Sequence, residues 1–169
     1  AKNYLKQYND RFMKLERLID TDNAIVNAVV NSKLVKCSKE NIRINTTIQN
    51  KLKRIDDIDM SSLIGNLLDN AIEANCKLDM TKRRLQIEIK PYNNMLLLFI
   101  SNSSNGIYLY GGNGNLLTTK TSNKNEHGIG IKRINEIVKK YNGIIEFDPG
   151  TEIFSVSILF PLDNWLEDN

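Results

Sequence analysis

Apolar positions recur along the chain with two different periods, and each period predicts one kind of element. Spacings of three and four residues predict three helices, over 24–41, 60–78 and 130–143. Turn residues flank these segments and indicate where the helices begin and end. We expect Asp59 to cap the start of the second helix and Gly143 to close the third in the left-handed conformation.

Apolar residues at every second position predict strands between these helices. The segment 42–48, "IRINTTI", carries Ile42, Ile44, Thr46 and Ile48 on one face. Two strand pairs are expected as well, one over 84–101 around a Pro-Tyr-Asn-Asn turn and one over 143–160. The order of the elements predicts an α+β fold, a two-layer α/β sandwich with helices on one face of a mixed sheet.

The first 21 residues show a narrower apolar seam, formed by Leu5, Tyr8, Phe12, Leu15 and Ile19. A seam of this width is typical of helix pairing, and two interpretations stay open. The helix either docks on its own domain or associates with a second copy. We therefore expect residues 1–21 to form a separate helix and residues 22–169 to form the sandwich domain.

Residues 103–127 are rich in Ser, Thr and Asn and contain four of the nine glycines. A polar segment of this length inside a compact domain is usually a binding loop or a lid. We expect the second half of the chain to carry such a lid between the predicted strands and the third helix.

Composition and charge narrow the classes of function. The net charge is +3 and the cations are scattered, so nothing favours nucleic-acid binding. The longest apolar run, residues 95–100, is too short for a membrane span. Cys37 and Cys76 lack metal or redox spacing, and a chain with one histidine does not favour a zinc site. Two unpaired thiols indicate a reducing, cytoplasmic setting.

Three polar residues form a stripe on the second predicted helix, in "GNLLDNAIEAN" (65–75). Asn66, Asn70 and Glu73 are spaced by four and three positions and share one helical face. Buried carboxamides are costly unless they have partners. Oxygen ligands suit Mg²⁺ bound together with a nucleotide's phosphates. An amide pair that anchors a loop explains the stripe equally well, and the stripe alone does not decide between them.

Two glycines, Gly128 and Gly130, begin the third predicted helix directly after the loop. A helix N-terminus presents free N–H groups, and glycine lets a phosphate approach closely. Combined with the amide stripe and the loop, this start favours a nucleotide site.

These segments resemble motifs of a known family. "NLLDNAIEAN" (66–75) is similar to the N-box, and "HGIGI" (127–131) to the second glycine box, of the GHKL or Bergerat-fold ATPases. That family includes sensor histidine kinases, DNA gyrase, Hsp90 and MutL. "LTTK" (117–120) before the glycine box looks more specifically like the peptide-pheromone receptor kinases of the AgrC/VirS type. The resemblance covers about residues 22–162.

The resemblance implies ATP and Mg²⁺ as ligands and gives roles to several residues. Asn70 is the expected Mg²⁺ ligand, and Asn66 the expected support for the phosphates or the water shell of the ion. Asn102 stands where most members place the aspartate that accepts from the adenine amino group. The other expected nucleotide contacts are Thr119, Lys120, His127, Gly128 and Gly130. Glu73 stands where many histidine kinases place a basic residue, and it receives no role.

His127 is the only histidine, and it directly precedes the glycines expected to contact the phosphates. It is expected to make a structural hydrogen bond at the hinge or to contact a phosphate. Its place does not suit a phosphoacceptor, which in such kinases lies on a separate helix.

The function implied is the ATP-binding catalytic domain of a two-component sensor histidine kinase. Residues 1–21 would then be the last part of the dimerisation region, and the acceptor histidine would precede them. The expected partners are that acceptor helix and a response regulator. The parent protein is expected to be a membrane-anchored bacterial homodimer with this domain in the cytoplasm, and the chain itself to be mostly monomeric.

Two other functions remain to be weighed against this one. The alternative is a GHKL nucleotide-binding module that gates a partner without phosphotransfer. Hydrolysis of the gyrase type is disfavoured, because those enzymes place a glutamate base where this chain has Asn66.

Overall fold

A computed structural model describes residues 19, 21, 23–49, 55–110, 116–117 and 129–162 of the chain. Three helices are present in this part: α1 (Ala24–Lys39), α2 (Asp57–Cys76) and α3 (Ile129–Lys140). A short 3₁₀ turn (Met80–Lys82) follows α2. The strands are β1 (Arg43–Ile48), β2 (Arg84–Tyr92), β3 (Met95–Ser103), β4 (Leu109–Tyr110), β5 (Leu116–Leu117), β6 (Ile144–Pro149) and β7 (Ile153–Pro161).

Five of the strands form one mixed sheet in the order β1-β2-β3-β7-β6. The β1–β2 pair is parallel and the other three pairs are antiparallel. The short strands β4 and β5 pair separately. The predicted α+β sandwich with a mixed sheet is confirmed.

One hydrophobic core lies between the sheet and the helices. Alternate residues of the central strands are buried in it, and these are Leu85, Ile87, Ile89, Leu96, Leu98, Ile100, Val156, Ile158 and Phe160. The helices contribute apolar residues at spacings of three and four, among them Leu63, Leu67 and Ala71 of α2. The alternation read from the sequence therefore corresponds to burial on one face of the sheet.

Helix α2 begins earlier than predicted, and its cap is not Asp59. The Asp56 carboxylate accepts from the backbone N–H groups of Ile58 (2.9 Å) and Asp59 (3.3 Å). Asp59 lies inside the first turn and is buried, with its side chain turned toward α3. Positions 56, 57 and 59 are all aspartates, so the preference for a capping carboxylate did not identify which one caps the helix.

The predicted left-handed cap of α3 is also displaced by one residue. Asn142 takes the positive φ, 52°. Gly143 follows it, and its N–H donates to the carbonyl oxygen of Val138 at 2.8 Å. The reason for glycine here is close packing, because a Cβ at Gly143 would lie 2.8 Å from Cδ1 of Phe160.

The β2–β3 turn is shorter than predicted. Pro91 and Tyr92 belong to β2, and only Asn93 and Asn94 form the connection. Asn93 has a φ of 50°, which asparagine tolerates better than most residues.

Residues 1–18 and 20 lie outside the described part of the chain, so the predicted N-terminal helix and its boundary at residue 21 stay predictions. Ile19 is described, and it packs against the core of its own domain. Its N–H donates to Oδ1 of Asn31 at 2.9 Å. Within the described residues, no helix is long and apolar enough to cross a membrane.

Candidate nucleotide site

A cavity of about 290 Å³ lies between α2 and the sheet. Helix α2 forms one wall with Leu67, Asn70, Ala71 and Ala74. The sheet forms the floor with Ile100 and Asn102 of β3, Phe147 of β6, and Phe154 and Val156 of β7. Ile131 of α3, together with Ser104, Asn105, Ile107 and Tyr108 after β3, completes the lining. The lining is mostly apolar with a few carboxamides, as is usual for small-molecule sites.

Asn70 lies half-buried on the α2 wall and lines this cavity. Asn66, one turn earlier, faces a polar cleft between α1 and α2 instead. Its Nδ2 donates to the carbonyl oxygen of Ser62 at 2.7 Å. The two amides of the predicted stripe therefore border two adjoining spaces.

Gly130 lies in the first turn of α3 and directly beside Asn66. A Cβ placed on Gly130 would lie 3.2 Å from Oδ1 of Asn66. The structure therefore brings one residue of the glycine box and one residue of the amide stripe together. The close approach explains why a residue without a side chain occupies this helical position.

Asn102 stands near the end of β3 and is 4% exposed. Its Nδ2 donates to the carbonyl oxygen of Ser103 at 2.9 Å, so its Oδ1 is directed elsewhere. Asn102 pairs with Phe154 across the β3–β7 ladder, and both residues line the cavity.

Glu73 of α2, which received no role from the sequence, and Lys77, the C-cap residue directly after α2, both line the cavity. They form an ion pair one helical turn apart, with Lys77 Nζ 3.7 Å from Glu73 Oε1. The carboxylate of Glu73 is thus paired with the cation of Lys77 at the end of the same helix.

An aromatic wall was missed by sequence reasoning. The rings of Tyr108 and Phe154 lie 5.7 Å apart, and those of Phe147 and Phe154 lie 6.3 Å apart. The Tyr108 hydroxyl donates to the carbonyl oxygen of Gly150 at 2.6 Å, which fixes its ring. Phe147 and Phe154 come from the paired strands β6 and β7, and Tyr108 comes from the segment after β3.

A buried carboxylate links α2 to α3 at some distance from the cavity. Asp59 accepts from Arg133 (2.9 Å), Lys140 (2.5 Å) and Tyr141 (3.0 Å). The Tyr141 hydroxyl also accepts from the Asp56 N–H at 3.1 Å. The hydrogen bond from the Lys140 ammonium is the main reason that the pKa of Asp59 lies below its usual value, and burial opposes that effect.

Four residues with predicted roles lie outside the described part of the chain, namely Thr119, Lys120, His127 and Gly128. The predicted lid, residues 103–127, is described only at 103–110 and 116–117. Among the described residues, no group of three or more His, Cys, Asp or Glu side chains is placed to hold a metal ion.

The fold resembles solved structures of sensor histidine kinases. A mycobacterial sensor histidine kinase, MprB, superposes with a TM-score of 0.63 at 14% identity, over 81% of this chain and 93% of that one. The Acinetobacter baumannii histidine kinase AdeS gives a TM-score of 0.60 at 14% identity, over 96% of this chain and 80% of that one. The catalytic domain of histidine kinase ThkA gives 0.60 at 19% identity, over 82% of this chain and 92% of that one.

Comparison of the sequence identifies a family but no individual relative. No curated protein matches the chain significantly. The family model of the GHKL domain matches residues 55–161, which include α2, α3 and four of the five strands of the main sheet. Since this match spans more than half of the sequence and every described residue of the candidate site, the chain belongs to the GHKL domain family.

Proposed function

We propose that this chain is the ATP-binding catalytic domain of a sensor histidine kinase. It transfers the γ-phosphate of ATP to a histidine on a separate helix. The observation that carries the proposal is the contact between the two motifs next to one cavity. Asn70 and Asn102 line the cavity, and Gly130 lies against Asn66, which borders the adjoining cleft.

The apolar end of the cavity suits adenine. Asn102 offers a carboxamide oxygen to the adenine amino group, because its nitrogen is already bonded to the Ser103 carbonyl. Phe154 and Tyr108 offer aromatic surface to a base, and aromatic contacts to bases are favourable without fixing its identity. In this arrangement the amide supplies selectivity and the aromatic wall supplies affinity.

The phosphates belong at the other end, where α3 begins. The free N–H groups and the dipole of a helix N-terminus favour anions, and Gly130 leaves room for their approach. His127 and Gly128 directly precede this helix in the sequence, and Thr119 and Lys120 lie about ten residues before it. We assign all four to phosphate contacts as well. Asn66 supports the phosphates or the water around the metal ion.

Mg²⁺ fits Asn70 as one ligand among several. A carboxamide oxygen is a suitable hard ligand, and Asn70 is half-buried at the wall of the cavity. The described residues hold no cluster of acidic side chains that would bind the ion alone, which agrees with an ion bound mainly by phosphates and water. When bound, Mg²⁺ neutralises the charge of the phosphates.

The chemistry asks little of the protein beyond positioning. An imidazole nitrogen of the acceptor histidine attacks the γ-phosphorus, and the bond to the bridging oxygen of ADP breaks. The electron pair leaves on ADP, and the imidazole releases its N–H proton to solvent. Hydrolysis is disfavoured because Asn66, one turn before Asn70, has an amide that does not accept a proton from water.

The wider setting follows from the sequence motifs. We place the chain in the AgrC/VirS-like subfamily on the "LTTK…HGIG" stretch, which implies a peptide signal and quorum sensing. Its partners are then the acceptor helix of its parent protein and a response regulator. The parent is a membrane-anchored bacterial homodimer with this domain in the cytoplasm, and residues 1–21 belong to its dimerisation region.

Calorimetry with ATP and Mg²⁺ tests the proposal. The wild-type chain is expected to bind, and Asn70→Ala to lower the affinity at least ~10-fold by removing a metal ligand. Asn45→Ala is the matched control, because Asn45 is an exposed amide on β1 away from the cavity. Absence of heat with the wild-type chain would contradict ATP binding.

Transfer is tested with γ-labelled ATP and a fragment that carries the acceptor helix of the parent protein. The fragment is expected to become labelled with acid-labile phosphate, and the chain alone is not. Binding without any transfer would favour the alternative, a nucleotide-dependent module that gates a partner.

A further inference from the structure

Asp59 extends the polar stripe of α2 toward the start of the helix. It lies seven positions before Asn66, which is close to two helical turns, so both residues face the same side. Helix α3 contacts this side at both levels, with Gly130 beside Asn66 and Arg133 beside Asp59. One helix thus connects the buried carboxylate with the site.

We propose that Asp59 is a positioning residue, which holds α3 against α2 so that the phosphate end of the site stays formed. The role rests on the proposed ATP binding and adds a residue that none of the sequence motifs includes. Asp59 does not touch the cavity, and its effect passes through α3.

The contacts of Asp59 are directed to α3 alone. Among the described residues, every side-chain partner of Asp59 lies on α3 or directly after it, namely Arg133, Lys140 and Tyr141. The carboxylate is 8% exposed, whereas Arg133 is 43% and Lys140 60% exposed. Because a charge left unpaired in a buried position is costly, the carboxylate resists separation from its partners.

The coupling to the site follows from helix geometry. Arg133 follows Gly130 by three residues, about one turn or ~5 Å along the axis. A helix of twelve residues moves as a rigid body, so the pairing at Arg133 also fixes the position of Gly130. The space between Gly130 and Asn66 is small, because a Cβ added to Gly130 would lie 3.2 Å from the Oδ1 of Asn66. Without Asp59, the contacts that hold α3 against the start of α2 are lost, and the placement of the glycine beside the amide is no longer fixed.

A positioning role and a purely structural ion pair predict different effects on the two ends of the nucleotide. The adenine end is formed mostly by α2 and the sheet, with Ile131 as the contribution of α3. A displaced α3 therefore weakens the hold on phosphates and leaves the base contacts nearly intact. Loss of general stability would instead lower binding of a nucleotide and of a nucleoside together.

The experiment compares ATP with adenosine on the full 169-residue chain. Asp59→Asn keeps the shape of the side chain and removes its charge. We expect the affinity for ATP with Mg²⁺ to fall about tenfold and the affinity for adenosine to change by less than about twofold. Asp148→Asn is the control, because it makes the same chemical change at an exposed position of β6 that does not line the cavity, and it is expected to change neither affinity.

Tyr141→Phe covers the case in which Asp59→Asn fails to fold. It removes one hydroxyl contact to Asp59 and keeps the ring, which packs edge-on against Phe160 at 6.3 Å. A weaker effect selective for ATP is expected. Equal losses for ATP and adenosine, or no loss, would overturn the positioning role. A wild-type chain that binds adenosine but not ATP would overturn the proposed function together with this role.

Discussion

At the scale of single residues, the chemistry of the site depends on carboxamides where charges are more usual. Asn66, Asn70 and Asn102 are neutral, and the acidic Glu73 is accompanied by Lys77. The proposed neutralisation of the phosphates therefore falls on the helix start, on Mg²⁺ and on Lys120. This distribution makes the position of α3 more important than any one side chain in the cavity.

Gly130→Ala separates the role of Gly130 in the site from its role in the helix. Alanine favours a helix over glycine by about 1 kcal/mol, so the free energy of unfolding is expected to stay equal or rise. The added Cβ would lie 3.2 Å from Oδ1 of Asn66 and shift that amide. We therefore expect weaker binding of ATP in a chain that is at least as stable, measured by calorimetry and thermal unfolding. Stronger binding would contradict the assigned place of the phosphates.

Of the sixteen residues that line the cavity, the sequence named only Asn70 and Asn102 as ligand contacts, and it named Asn66 and Gly130 beside them. Asn66, Asn70 and Gly130 have fixed spacings that the sequence displays directly. Their roles remain predictions. The aromatic wall of Tyr108, Phe147 and Phe154 was not predicted, because its formation depends on strand register, which no local pattern specifies.

At the scale of elements, periodicity identified the three described helices and the five strands of the main sheet, with errors at their ends. It missed the short strands β4 and β5, which lie in the segment predicted as a loop. Several neighbouring residues have a similar propensity to cap a helix, and tertiary contacts determine which of them does so. The Asp59 side chain accepts from Arg133 of α3, and Asp56 caps α2 instead. Similarly, Asn142 has the left-handed conformation, and Gly143 packs closely against Phe160.

Substitutions at the end of α3 test this assignment. Asn142→Ala is expected to lower the free energy of unfolding by about 1 kcal/mol, since alanine disfavours a positive φ. Asn142→Gly is expected to be neutral or slightly stabilising for the same reason. Chemical denaturation distinguishes the two variants, and equal losses would contradict a left-handed residue 142.

Gly143→Ala tests the close packing that follows. Its Cβ would meet the ring of Phe160 at 2.8 Å and the Leu159 carbonyl oxygen at 3.1 Å. We expect a loss of about 1–3 kcal/mol from overpacking. A second substitution, Phe160→Leu, replaces the ring by a smaller side chain and is expected to recover part of the stability lost in Gly143→Ala. Additive losses in the double variant would argue against a direct clash.

At the scale of the whole molecule, one buried carboxylate connects two helices that are far apart in the sequence. Its pKa lies below the usual value for Asp, so the folded chain binds its proton less readily than the unfolded chain. The stabilisation from Asp59 is therefore complete above the unfolded pKa of about 4 and is lost as the pH falls below it.

The pH dependence of unfolding measures this contribution. We expect Asp59→Asn to lower the free energy of unfolding by about 1–3 kcal/mol at pH 7, because hydrogen bonds to a charged group are lost. The difference from the wild-type chain is expected to shrink as the pH falls below about 4. Glu88, whose pKa Lys90 also lowers, is present in both chains and does not affect the comparison. A difference that stays constant down to pH 2 would contradict the role of the charge.

The amide at position 102 has a consequence for the conditions under which the domain works. A carboxylate in its place would titrate, and its contact with the base would change during acidification. Asn102 has no proton to gain in that range, and its Nδ2 donates to the carbonyl oxygen of Ser103. Under the proposed role, recognition of the base does not depend on the protonation of residue 102.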